Sequence, residues 1–391
     1  MSTPSRDRLT RWRLVLGGDE ADALGGAGGV ELAGDDVARD RALGELYDGD
    51  RRGGMGRSAP RVARWLGDIR GYFPTSVVRV MQADAMERLG LHQLLTEPEM
   101  LDSVQPDVSL VSTLVALNGA IPERSREAAR AVVRAVTDEL EERLRSRTVQ
   151  AVTGALDRSA RTRRPRPADI DWGRTIAANL RHYLPEQRTV VPERLVGHAR
   201  RTTQVERHVI LCVDQSGSMA ESIVYSSVFG AVLGSLRSVR TSLVVFDTEV
   251  VDLTDELDDP VDVLFGVQLG GGTDINRALA YCQGLVTQPL DTVLVLISDL
   301  YEGGIAEEML RRSRQVVDSG ATMVALLALS DSGAPSYDAE HAAALAGIGV
   351  PAFACTPDLF PDLMAAAIER RDVGAWAAGH DIVTSHGDLE E

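Results

Sequence analysis

From residue 207 onward the chain repeats one unit: a short apolar run, a loop, then a stretch with helical periodicity. The runs are "HVILCVD", "TSLVVFDTEVVDL", "DTVLVLISD", "ATMVALLAL" and "VPAFAC", and helical patterns fall near 219–237, 260–267, 274–287, 304–319, 337–347 and 358–370. A strand with one face in water alternates apolar and polar residues, whereas runs like these need cover on both faces. Parallel neighbours also require a crossover connection, which helices of this length supply. The predicted fold is therefore α/β, a Rossmann-like, doubly wound, mostly parallel sheet over 206–370. "TSLVVFDTEVVDL" reads as two strands in a hairpin.

The first 195 residues have another rhythm and predict a mainly helical N-terminal domain. Val62, Trp65, Leu66 and Ile69 recur at helical spacing, Pro74 marks a new start, and "TSVVRVMQADAMERLG" ends at Gly90. In "PERSREAARAVVRAVTDELEERLRSRTVQAVTGAL" the residues Ala129, Val132, Val133, Val136, Leu140 and Leu144 form one apolar stripe. The glycine-rich stretches "GGDEADALGGAGGVELAGDD" and "DRRGGMGRSAP" read as loops. "RSARTRRPRP" reads as a solvated linker, or else as a docking patch for an acidic surface. Residues 371–391, polar and acidic at their end, are expected to be a mobile tail.

Charge separates the same two regions. Residues 1–207 carry 33 Arg against 30 acids, and residues 208–391 carry 8 Arg against 28 acids. So acidic a half repels a phosphate backbone, which argues against nucleic acid as its partner. The chain has no lysine, which excludes a P-loop lysine, a Schiff base and a pyridoxal phosphate anchor. It also lacks a long uncharged apolar run and a signal-peptide core near its start, so a cytoplasmic protein without membrane segments is expected. Cys212, Cys282 and Cys355 sit in apolar contexts and are expected to be buried free thiols.

Ligands of open α/β sheets bind outside the carboxyl ends of the strands. Three loops on that edge carry unusual residues: Asp214-Gln215-Ser216-Gly217-Ser218, then "LGGGTDIN" with Gly270, Gly271, Gly272 and Thr273, then "ISDLYEGG" with Asp299. Two carboxylates and three hydroxyls form a hard oxygen set, which suits magnesium. Alone, Ser216 or Ser218 could cap a helix. Asp274 and Glu302 read as surface acids, Asp247 as a former of the hairpin turn, and His208 as structural or exposed.

With these residues in view, the chain resembles the von Willebrand factor A (VWA) domains and their metal-ion-dependent adhesion site. "DQSGSM", "VVFDTEVVDLT", "VQLGGGTDI" and "SDLYEGG", in that order, are most similar to bacterial CoxE-like and YehP-like proteins, and "RWRLVLG" and "RRGGMG" look like YehP-type N-termini. The resemblance is strong over 206–330 and extends to 370. It implies metal binding by Ser216 and Ser218 directly, by Asp214 and Asp299 directly or through water, and by Thr273 in a switchable manner. The cation implied is Mg2+, with Mn2+ or Ca2+ as substitutes, and one coordination position is left for an Asp or Glu of a protein partner. The implied role is a metal-dependent protein-binding adaptor, not an enzyme, working with a MoxR-type AAA+ ATPase in protein remodelling or metal-cofactor maturation. Three alternatives stand beside it. One is a serine hydrolase using Ser216 or Ser218, although the G-x-S-x-G elbow is missing and only His341, His380 and His386 lie downstream. The others are a metal-assisted hydrolase and a metal-independent scaffold.

Overall fold

The apolar runs build one six-stranded sheet in the computed structural model, which describes residues 14, 32–47, 59–89, 91–159, 161–162, 170–185, 189–198, 207–267, 271–331 and 336–382. Its strands are β1 (Arg207–Asp214), β2 (Val239–Phe246), β3 (Val250–Asp252), β4 (Thr292–Ile297), β5 (Thr322–Leu329) and β6 (Ala352–Cys355). Their spatial order is β6-β5-β4-β1-β2-β3. Every neighbouring pair is parallel except β2 and β3, the expected hairpin. The helices between and after them are α1 (Ala220–Gly234), α2 (Pro260–Gly266), α3 (Ile275–Leu285), α4 (Ala306–Asp318), α5 (Ala339–Gly347), α6 (Phe360–Ile368) and α7 (Val373–Ala378).

Period-2 geometry sends alternate residues of β1 to opposite faces. Ile210 and Cys212 join one core with Ile275, Leu279 and Cys282 of α3, Met309 of α4 and Leu345 of α5. Leu211 faces α1, where a Cβ on Gly230 would lie 3.8 Å from Leu211 and from Leu243. Phe229 of α1 in turn stacks on Phe360 of α6, ring centroids 4.4 Å apart. The sheet is thus covered on both sides, as its apolar runs require. All three cysteines are buried and free.

The chain divides into two compact units, Met1–Val136 and Thr137–Glu391. The division falls inside the long helix Glu123–Ser159, and every residue of its expected apolar stripe is buried. Before it, the first unit has helices Asp35–Tyr47, Ala59–Tyr72, Thr75–Leu89, Pro98–Leu101 and Val108–Ala116. Val62, Trp65, Leu66 and Ile69 are buried as their spacing predicts.

Helix Asp35–Tyr47 overlaps the first glycine-rich stretch only at Asp35 and Asp36 and otherwise lies beyond it, where the sequence announced no element. Only Ala42 and Leu46 of it are buried, and the Trp65 indole donates to the Ala42 carbonyl at 2.9 Å, so a distant tryptophan supplies what a sparse apolar pattern could not announce. "RWRLVLG", apart from Leu14, and "RRGGMG" lie outside the described residues. Of "RSARTRRPRP", Arg158 and Ser159 close the long helix and Arg161–Thr162 pairs antiparallel with Gly197–His198; most of the rest lies outside as well.

Trp172–Ala178 forms a helix and Tyr183–Leu184 pairs with Thr189–Val190. Buried Thr175 and Asn179 tie this segment together through hydrogen bonds to the backbone of Glu193, Arg194 and Val196. The tail expected to be mobile from residue 371 instead begins with α7. Trp376 there is 8% exposed and packs against Phe353, centroids 6.2 Å apart, so apolar burial orders this part; residues 383–391 lie outside the described ones. Among the described residues no helix is long and apolar enough to cross a membrane.

Candidate metal centre

At the end of β1, Gln215 still donates to the Phe246 carbonyl at 2.8 Å, extending the ladder with β2 by one residue. The chain then turns. Asp214 Oδ1 accepts from the Ser216 amide at 2.8 Å, the local bond with which an aspartate closes a turn on itself. Gly217–Met219 forms a 3-10 turn that leads into α1. Neither Ser216 nor the residue before α1 makes a side-chain cap bond, so Ser216 is not spent on the helix.

The two serines point toward the third loop. Ser216 Oγ and Ser218 Oγ lie 3.1 Å apart, and Ser218 Oγ donates to Asp299 Oδ2 at 2.6 Å. The hydroxyl of Ser298 closes the group, donating to Asp214 Oδ2 at 2.7 Å while accepting from the Leu300 amide at 3.0 Å. Sequence reasoning missed Ser298. It ends an apolar run beside Asp299, and its contact with Asp214 bridges 84 residues.

Asp299 is held by its backbone as well. Its carbonyl accepts from Asp338 at 2.9 Å. The next residue, Leu300, is buried at φ 65°, a left-handed conformation that costs a non-glycine residue about 1–2 kcal/mol. Ser298 at its amide and His341 Nδ1 at its carbonyl, 3.0 Å away, hold it there. Strain is thus kept next to the aspartate that receives Ser218.

Thr273 reaches the same edge through its backbone. Its carbonyl accepts from Gly303 at 2.7 Å, and the Asp274 amide donates to the Asp247 carbonyl at 2.8 Å. Gly271, at φ 111°, makes the approach possible, because a Cβ there would lie 3.1 Å from Asp247 Oδ2. The Thr273 hydroxyl is not a member of the serine–aspartate chain. Asp247 shapes the hairpin, accepting from the Glu249 amide at 2.6 Å. Asp274 caps α3 by accepting from Arg277 at 2.8 Å. Glu302 is only half-buried, yet it accepts from the Ile275 amide at 2.7 Å and from Gly304 at 3.1 Å, so it is a connector rather than the surface acid its sequence context suggested. His208 is buried and bonded to Ser242 at 3.0 Å.

The electrostatics are unbalanced. Asp214 is 0% exposed and Asp299 4%, and among the described residues neither has an ion-pair partner. Burial pushes the Asp214 carboxyl up to about 6, with the Asp299 charge adding to the effect and the Ser216 amide and Ser298 hydroxyl opposing it. Two buried acids with hydroxyls beside them and no ion-pair partner among the described residues are chemically suited to a divalent ion. The steps of the chain Ser216–Ser218–Asp299, 3.1 and 2.6 Å, are hydrogen-bond distances and are compatible with neighbouring ligand positions about 2.9 Å apart around an octahedral magnesium at 2.0–2.1 Å. Among the described residues no cluster of three or more His, Cys, Asp or Glu could hold a metal, so hydroxyls have to complete any shell here. No described histidine bonds to either serine: His341 is fixed on Leu300, and His380 on the Trp376 carbonyl.

Comparison with known proteins agrees with this architecture. The profile of the family described as VWA domain containing CoxE-like protein matches residues 140–364. The chain is 37% identical over 360 residues to the uncharacterized protein YehP of Escherichia coli (strain K12), covering 89% of this chain and 93% of that one. Solved structures give more distant matches. A von Willebrand factor type A protein from Catenulispora acidiphila aligns at 13% identity over 42% of each chain, TM-score 0.33. An aerotolerance-related membrane protein from Bacteroides fragilis NCTC 9343 aligns at 14% identity, over 42% of this chain and 99% of that one, TM-score 0.31.

Proposed function

Because this chain belongs to the family of VWA domain containing CoxE-like proteins, we propose that it is a metal-dependent protein-binding adaptor and not an enzyme. The observation that carries the reading is the pair of buried carboxylates, Asp214 and Asp299, each accepting from a serine hydroxyl and neither with an ion-pair partner among the described residues. Asp214, Ser216, Ser218 and Asp299, with Thr273 on the adjoining loop, are the residues we assign to a magnesium ion; Mn2+ or Ca2+ would fit the same hard oxygens. The ion supplies positive charge on an otherwise acidic surface and so attracts an Asp or Glu from another protein.

Ser298 and the clamped Leu300 keep the assigned oxygens in place before any ion arrives, which limits the ordering cost of binding. The partner we assign is a MoxR-type AAA+ ATPase, with a client protein as the second body to be held. A chain without lysine cannot build a P-loop of the usual kind, so ATP hydrolysis in such a complex falls to the partner. Protein remodelling or metal-cofactor maturation is the work we assign to that pair.

The test is co-purification of the candidate ATPase with the full chain. Wild type in Mg2+ is expected to retain it, and wild type in EDTA or Asp214→Ala in Mg2+ to lose at least tenfold of it. Equal retention in all three conditions would remove the metal from the interface.

A further inference from the structure

Three loops meet at the assigned site, yet hydrogen bonds between donor side chains join only two of them. Ser218 reaches Asp299 directly, Ser216 reaches Ser218, and Asp214 is bonded to Ser298, the neighbour of Asp299. Thr273 is attached differently: the Gly303 amide donates to its carbonyl, and one carboxylate ties the residues that follow it to the same loop. Glu302 Oε2 accepts from the Ile275 amide at 2.7 Å. Glu302 Oε1 accepts from Gly304 at 3.1 Å. One end of the carboxylate therefore holds the first turn of α3, two residues after Thr273, and the other holds the loop that begins at Asp299.

The surroundings leave little slack. Gly303 donates to the Thr273 carbonyl at 2.7 Å, and a Cβ on Gly303 would stand 2.7 Å from that oxygen. A Cβ on Gly304 would come within 3.2 Å of Asp274 Oδ1 and collide with Glu302 Oε1. Two consecutive glycines thus let the loops close around the carboxylate.

We propose that Glu302 is a positioning residue for the metal centre: its carboxylate sets the distance between the Thr273 loop and the Asp299 loop, and so decides whether the Thr273 hydroxyl can serve the ion. This rests on the assignment of the ion to Asp214, Ser216, Ser218, Thr273 and Asp299. Both oxygens of Glu302 accept from N–H groups, so Gln can satisfy only one end, its NH2 facing an amide donor at the other. Ala satisfies neither. Residues that orient metal ligands without touching the metal commonly change affinity by about 10–100-fold when removed.

A double-mutant cycle with Mn2+ as the probe, read by the EPR signal of the free ion on the full chain, tests the proposal. Thr273→Ala and Glu302→Ala are each expected to weaken Mn2+ binding about tenfold or more, with Glu302→Gln in between. The double variant should be no weaker than Thr273→Ala alone, since Glu302 acts through Thr273. Additive losses, or a Glu302→Gln variant that binds Mn2+ like wild type, would overturn it. So would a Glu302→Ala variant that melts lower with unchanged affinity, because that marks a helix cap and nothing more. Asp214→Ala is measured beside them. If it too binds Mn2+ like wild type, the ion is not at this site and the proposal falls with the assignment; if Asp214→Ala loses binding while Thr273→Ala does not, only the proposal for Glu302 fails.

Discussion

The two ends of strand β1 treat charge in opposite ways. At its start Arg207 pairs with Asp291 and also donates to the Leu290 carbonyl at 3.1 Å. At its end Asp214 is fully buried near a second carboxylate, with a hydroxyl and an amide for company and no ion-pair partner among the described residues. The same strand lies in the same sheet at both ends, so the fold does not impose the difference. A buried acid costs stability unless its charge is met, and at the amino end the partly exposed Asp291 is met by Arg207. The carboxyl end is where the charge is left for something else to balance.

The largest break in that comparison comes from Asp214→Asn. Holding a carboxyl near 6 rather than at its ordinary 3.8 costs the metal-free fold about 3 kcal/mol at neutral pH, at 1.36 kcal/mol per pKa unit. The neutral amide keeps the shape without the charge, its oxygen accepting from the Ser216 amide and its NH2 donating to the Ser298 hydroxyl, which as a hydroxyl can also accept. In EDTA at pH 7.5 the variant is expected to be more stable than wild type, by up to about 3 kcal/mol in urea unfolding. It should also lose the stabilisation that Mg2+ gives wild type. A variant less stable than wild type in EDTA would mean that Asp214 is already balanced within the chain.

Proton and metal compete for the same carboxylate, which gives the second prediction. Because the Asp214 value is raised in the fold, the folded chain holds this proton more tightly than the unfolded one. Its contribution to stability is therefore fully present below about 4, is lost as pH rises toward about 6, and is level above. Mg2+ works in the opposite direction. Its apparent affinity should fall about tenfold between pH 7 and pH 5, as one proton of pKa near 6 displaces it. The rise in Tm caused by Mg2+ should shrink accordingly, and an equal rise at both pH values would exclude Asp214 as the group that binds.

How far such a site can be read from sequence depends on where its parts are joined. Asp214, Ser216 and Ser218 lie within five residues, and Asp299 follows an apolar run, so strand ends and spacing are enough to bring them to one edge. Ser298 and Glu302 stand beside the same motif yet say nothing by themselves. Ser298 matters because Asp214 comes to it from 84 residues away, and Glu302 because Ile275 does from 27. Fold follows the same rule. The parallel strands of the sheet were legible because each holds an apolar run, and the helices between them because their lengths are those of crossovers. Helix Asp35–Tyr47 was not, since its burial is supplied by Trp65; nor was the segment around Asn179, whose ties run from a polar side chain to backbone; nor α7, anchored by one tryptophan in a polar stretch.

The smallest effect is expected at the other end of β1, where it serves as the control for the first. Asp291→Asn removes the charge facing Arg207, whose side chain is 13% exposed. Here the aspartate answers a cation, so neutralising it should destabilise the chain, the reverse of the expectation for Asp214→Asn. The loss should be about 1 kcal/mol, as for a partly exposed ion pair, because the Leu290 carbonyl remains to accept from the guanidinium. Urea unfolding in EDTA and in Mg2+ measures it, and the difference from wild type should be equal in the two conditions. Two acid-to-amide changes at opposite ends of one strand would then move stability in opposite directions, with only the carboxyl end responding to the ion. If both moved it the same way, the contrast between a paired and a waiting charge would be gone, and with it the main physical reason to place a cation at Asp214.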